Sequence, residues 1–380
     1  FLTEICHRED PTRPVTVGMH MWQRFLEKEW VDAFDVIGIN YHPRKFIELR
    51  ETVGDRLILG AESGSTLSSR GVYHLPAVKQ LDMALSPDQQ CSSFDLEAVS
   101  WGNTPDSDIS MHEDYPWAIG QFVWTGFDYL GEPTPYESYS YPNHSSMFGI
   151  VDLASIPKDR YWLFRSVWNK NGHTLHILPH WNWSDGQDVP VFVYTDAPSA
   201  ELFLNGKSLG VQSKLVPRHK TQGDREENVE ARYRLAWTVP FAPGELMAVS
   251  ISDSGAPLDT VYVRTAGEPA GIRLEYDGRR LKADGEDLAY VTVSIVDKDG
   301  NLCPLADSPV SFDVTGPGTF RACANGDPTS LEPFQGPTMH AFNGKLTAIV
   351  QSSSDEAGKI YLHSTSPGLN DTTLIIRTRF

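Results

Sequence analysis

The sequence predicts a multidomain chain of α/β plus all-β class: a parallel sheet covered by helices, then two antiparallel β layers. Three observations carry this. At 380 residues the chain is too long for one compact domain. Up to about residue 170, short apolar runs alternate with helical stretches, the pattern of strands buried on both faces. Beyond Asn171 the apolar residues recur with period two, the pattern of antiparallel strands with one wet face.

Taken in order, "FLTEICHRED" reads as the tail of a helix, and the turn signal Asp10-Pro11 precedes a first strand in "RPVTVG". "FLEKEWVDA" is helical, and "FDVIGIN", "RLILGAE" and "AIGQFVWTG" are three further strands. The four strands are expected at 14–18, 35–40, 57–61 and 120–125. More than 50 residues rich in Ser, Pro, Asp and Trp separate the last two, enough for helices and a long active-site loop. "KDRYWLFRSVWN" is a closing helix. "VPVFVYT", "AELFLNGKSLG" and "RYRLAWTVP" then alternate, with Asn205-Gly206 as a hairpin turn. "TAGEPAG" links to a last alternating stretch that opens on "LAYVTVSIVDKDGN" and looks immunoglobulin-like. The expected domains are 1–170, 171–266 and 267–380.

Composition narrows the partners. The formal charge of −18 disfavours nucleic acid and anionic membranes, and a neutral substrate suits it best. No apolar stretch is long enough to cross a bilayer. An aromatic share of 11%, with ten Trp, permits sugar-binding platforms without requiring them. Cys6, Cys91, Cys303 and Cys323 form no CxxC pair, so no metal or other cofactor is expected; pairing of Cys303 with Cys323 stays open.

The site candidates sit where the strands end: Asn40-Tyr41-His42, then Glu62, then Trp124. In a (β/α)₈ barrel the C-terminal strand ends surround one pocket, but four strands are half of what a barrel needs. "LILGAESGS" (57–65) is the pointed case, because a buried strand delivers a carboxylate just as it ends. An unpaired buried carboxylate costs several kcal/mol, so Glu62 either surfaces in a loop or serves chemistry.

The motifs "DPTRPVTV", "DVIGINYHP", "LGAESGSTLSSRGVY", "GQFVWTGFDYLGEPTPY" and "SSMFGIVDLASIPKDRYW", in this order, resemble glycoside hydrolase family 2. They are most similar to bacterial β-galactosidases with extra C-terminal β-domains, and the resemblance covers essentially the whole chain. It implies the C-terminal half of a TIM barrel, strands five to eight, followed by two immunoglobulin-like β-sandwiches. It also implies a retaining exo-β-glycosidase with a carbohydrate substrate, in which Glu62 is the nucleophile and Tyr41 its hydrogen-bond donor. Trp124 would wall the sugar site, with a cis bond to Thr125, and Asn40, His42 and Arg70 would bind substrate. For Arg70, bracing of the long loop is an equal alternative; Asp128 and Glu132 are read as loop-bracing carboxylates.

The family's acid/base motif, W-S-x-G-N-E, does not occur in the sequence. The resemblance therefore places that glutamate upstream of residue 1, in N-terminal domains of the same polypeptide, and makes the isolated chain a candidate for inactivity. A periplasmic or secreted location is expected, and a homo-oligomer stays open. β-Glucuronidases of the family hold a substrate carboxylate with Asn-x-Lys after the eighth strand. Here that place is Ser146-Met147-Phe148, without a cation, which favours a neutral sugar. Other family specificities (β-glucuronidase, β-galacturonidase, β-mannosidase) are the alternative, as is a truncated non-catalytic fragment whose sandwiches bind carbohydrate or protein.

Overall fold

The computed structural model describes residues 1–27, 30–43, 45–82, 85–215 and 229–380. Four strands, Gly18–Met19, Ile37–Asn40, Ile58–Gly64 and Ala118–Trp124, lie side by side in chain order, and every neighbouring pair is parallel. Parallel neighbours need crossovers, and the helices Trp22–Glu27, Lys45–Val53 and Pro105–Asp114 lie between them in sequence. Helix Asp159–Trp168 follows the last strand. Ile37, Ile39 and Ile58 are buried, with Trp22, Phe46, Leu49 and Met111 packed in the same cluster. Ile119 and Phe122 of the fourth strand are exposed, so burial on both faces does not extend to it.

Three expectations need correction. The first strand is only Gly18–Met19, not 14–18. Pro14 has no N–H to give, the Val15 N–H goes to the Asp35 carboxylate at 2.7 Å, and the Val15 carbonyl takes the Asp35 and Val36 N–H groups. The stretch "FLEKEWVDA" is not one helix: Trp22–Glu27 is α-helical and Trp30–Ala33 a 3₁₀ turn. The third strand runs on through Glu62 to Gly64, so the carboxylate stands inside the strand's end, not after it.

The alternating half of the sequence forms two pairs of sheets. In the first, Ser199–Leu204, Lys207–Ser213, Glu245–Ile251 and Pro257–Arg264 face Leu175–Leu178, Asp188–Thr195 and Arg234–Pro240 across one core. Asn205 and Gly206 both take positive φ at its hairpin (51° and 77°), as a tight Asn-Gly turn requires. In the second, Gly271–Glu275, Leu288–Val296, Gly318–Ala324 and Lys345–Ser352 form one sheet. Pro309–Thr315, Lys359–Thr365 and Thr372–Arg379 lead the other, and both contribute to one apolar core. Cys303 and Cys323 are buried and form no disulfide with each other. Among the described residues no helix is long and apolar enough to cross a membrane.

Buried polar contacts fasten the parallel sheet's loops and helices to both β layers. Arg234 pairs with Asp106, its Nε 3.0 Å from Oδ1, and donates to the Phe94 carbonyl at 2.8 Å. Tyr194 donates to Asp95 at 3.1 Å. Towards the last layer, Thr347 donates to the Ala154 carbonyl at 2.7 Å and Asn343 to that of Arg70 at 2.7 Å.

Candidate active site at the strand ends

Glu62 lies where the third strand loses its regular register. Ile39 pairs with Gly60 but Asn40 pairs with Glu62, so Ala61 is an extra residue, and the pairing with the fourth strand slips between Gly60 and Ser63. Such a bulge bends a strand and re-aims its side chains. The backbone is then fixed from both sides. The Tyr41 N–H donates to the Glu62 carbonyl at 2.6 Å, and the Gly64 N–H to Asp108 Oδ2 at 2.7 Å. Glu62 is half-buried.

Tyr41 and His42 end the second strand with successive positive φ values of 59° and 50°. Non-glycine residues hold such angles at a cost of about 1–3 kcal/mol each, and they concentrate at functional sites. Burial, together with the neighbouring Glu62 carboxylate, raises the pKa of the Tyr41 phenol, so it stays a proton donor. The His20 ring meets Tyr41 edge-on at 6.3 Å. Burial, with His20 and Lys45 adding to it, lowers the pKa of His42 and favours its neutral form.

Asn40 Oδ1 is buried and has no hydrogen-bond partner. Gly18 makes room for it, since a Cβ there would stand 2.7 Å from that oxygen. Trp124 ends the fourth strand in register with Gly64, and the bond from Trp124 to Thr125 is cis. Its indole N–H donates to the Tyr129 hydroxyl at 3.1 Å, and Tyr129 donates in turn to Glu132. Asn40, Tyr41, His42, Glu62 and Trp124 thus stand at the C-terminal ends of neighbouring parallel strands, where such sheets place their ligands.

Arg70 does not join them. Its buried guanidinium pairs with Asp152 at 2.5 Å and donates to the Asn325 carbonyl at 2.7 Å. Of the two readings the sequence leaves equal for Arg70, these contacts are those of a brace, here between the long loop and the last β layer. Asp128 also braces, accepting the Gly149 N–H at 2.7 Å and pairing with Lys158 at 2.6 Å. Two residues escape the sequence: Asp108, which accepts the Gly64 N–H, and Tyr129, which accepts the Trp124 indole N–H; no motif spacing reports either contact. Glu132, read from the sequence as a loop brace, accepts the Tyr129 hydroxyl. No group of three or more His, Cys, Asp or Glu side chains suited to a metal ion occurs among the described residues.

Residues 272–375 match glycoside hydrolase family 2 C-terminal domain 5, and residues 186–258 match a domain of unknown function. A β-galactosidase of Bacteroides ovatus is 40% identical over 375 residues, which is 97% of this chain and 42% of that protein. The chain belongs to glycoside hydrolase family 2. Another family resemblance is to a β-glucuronidase of Formosa agariphila, 27% identical over 60% of this chain and 22% of that protein. Among solved structures, a β-glycosidase from Bacteroides vulgatus superposes with a TM-score of 0.82. It is 28% identical, over 99% of this chain and 48% of that one. The chain therefore spans less than half the length of each of these relatives.

Proposed function

We propose that this chain is the C-terminal portion of a retaining exo-β-galactosidase. In this reading residues 1–170 are the C-terminal half of a (β/α)₈ barrel, and 171–266 and 267–380 are immunoglobulin-like sandwiches. Glu62 attacks the anomeric carbon and carries the glycosyl group; Tyr41 donates to its carboxylate; Trp124 walls the sugar; Asn40 and His42 contact its hydroxyls. A retaining mechanism needs a second carboxyl group about 5–5.5 Å from the nucleophile to protonate the leaving oxygen. That group belongs to the portion of the relatives' length that this chain does not span.

The observation that carries the proposal is the gathering of Glu62, Tyr41 and Trp124 at one end of a parallel sheet, on a bulge and a strained turn. The unpartnered Asn40 Oδ1 beside them supports a polar ligand. The half-barrel reading is supported by the sheet's ends: strand Ala118–Trp124 lies at one edge and carries exposed Ile119 and Phe122. In a closed barrel such an edge is paired.

A neutral sugar is supported at Ser146-Met147-Phe148, a buried segment with no basic residue of its own. Its Met147 carbonyl accepts from Arg160 at 2.8 Å, and the nearby Lys158 ammonium is tied to Asp128. The relative named as a β-glucuronidase keeps a uronic-acid specificity as the second reading. Kinetics of the full-length product on chromogenic glycosides separates them: β-galactoside turnover is expected, and a clear preference for the β-glucuronide overturns the neutral-sugar reading.

A further inference from the structure

Trp124 is not held by its own strand alone. Past the cis bond the chain runs through Gly126 and Phe127 to Asp128, anchored on Gly149 and Lys158, and to Tyr129. Tyr129 is pinned by its backbone: its N–H donates to Ser146 Oγ at 3.1 Å, and its carbonyl accepts the Ser146 N–H at 2.8 Å. Its ring meets Trp124 edge-on, with centroids 5.8 Å apart and planes at 83°. The hydroxyl accepts the Trp124 indole N–H at 3.1 Å and gives its one proton to Glu132. A phenol has one proton to give, so its donation to Glu132 orients its lone pairs towards the indole.

We infer that Glu132 is a positioning residue that holds Trp124 through the Tyr129 hydroxyl and so sets the wall of the sugar site. The inference rests on the proposed glycosidase reading for what Trp124 touches, though not for how Trp124 is held. Because the indole N–H is already spent on Tyr129, Trp124 offers a ligand its apolar face and no donor. The wall then recognises the C–H face of a sugar and gives it no hydrogen bond. Burial and the Glu132 carboxylate both raise the pKa of Tyr129, so the relay keeps its proton across the working range.

The test uses the full-length protein with Glu132→Ala, Glu132→Gln, Tyr129→Phe and the Glu132→Ala/Tyr129→Phe double variant. Trp124 is followed by near-ultraviolet circular dichroism against a Trp124→Phe reference. Turnover is measured on whichever chromogenic glycoside the wild type accepts. Glu132→Ala and Tyr129→Phe should each change the Trp124 band and raise KM by about 10-fold, with kcat changed by less than about 3-fold. The double variant should be no worse than either single one, because the contacts form one relay. Glu132→Gln keeps an acceptor and should recover most of the affinity. An unchanged Trp124 band and KM in Glu132→Ala, or additive losses in the double variant, overturn the inference. If Glu62→Gln abolishes turnover in that case, the proposed function survives it. A changed band with unchanged KM keeps the relay but overturns its role as the sugar wall. Should the wild type turn over no glycoside, the functional reading fails, and the band alone decides whether the relay exists.

Discussion

At Glu62 the backbone rather than the side chain does the unusual work. The extra residue Ala61 and the strained pair Tyr41-His42 meet at the same level of the sheet, and each aims a polar group out of an apolar strand. The chemistry proposed for Glu62 needs it ionised, and in that proposal Tyr41 stabilises the ionised form by donating to it. Hydrogen bonds to charged groups are worth about 1.5–3 kcal/mol, so Tyr41→Phe in the full-length protein should lower kcat by about 10–10²-fold. The same variant should leave the melting temperature nearly unchanged, which separates a chemical role from a structural one. Glu62, Tyr41 and Trp124 were legible in the sequence because each ends a visibly apolar run. For Arg70 substrate contact and bracing stayed equal, because its partners Asp152 and Asn325 lie 82 and 255 residues away, beyond any local pattern.

Among the elements, helix Pro105–Asp114 matters most to the site. It has no apolar stripe to announce it in sequence, yet everything from Pro105 to Met111 is buried. Its carboxylates explain why. Asp106 pairs with Arg234, Asp114 with Arg232, and Asp108 holds the Gly64 N–H beside Glu62. Removing one partner of a buried pair leaves the other uncompensated, so Arg234→Ala should destabilise the protein by about 3–5 kcal/mol in denaturant unfolding.

Asp108 makes a pH prediction. Burial raises its pKa to about 7, against the lowering effect of the Gly64 N–H, with Asp106 nearby adding to the rise. Between pH 4 and 7 the folded protein therefore keeps a proton that the unfolded chain releases, and this group's contribution to stability falls as pH rises. Asp108→Asn keeps an acceptor for Gly64 and removes the titration. It should match the wild type near pH 4 and exceed it by on the order of 2–4 kcal/mol at pH 8, measured as urea midpoints. Greater relative stability of the variant at pH 4 than at pH 8 would reverse the sign and refute the account.

For the whole molecule, the order of layers was legible because helix-covered and half-wet strands follow different periodicities. The way they are fastened was not, since it depends on single buried pairs such as Arg234 with Asp106. The open edge at Ala118–Trp124 exposes Ile119 and Phe122, and a proposed half barrel supplies a nucleophile without a proton donor for the leaving oxygen. General acid help is worth about 10²–10⁴ in rate, so this chain expressed by itself should show no appreciable β-galactosidase activity, whereas the full-length product should. Turnover by the isolated chain at full rate would show that these residues hold a complete site. The most direct test of the central claim is to trap the full-length enzyme with a fluorinated β-galactoside, then digest it and map the labelled peptide. The account predicts a stable galactosyl ester on Glu62, absent in Glu62→Gln; a label on any other residue would contradict it.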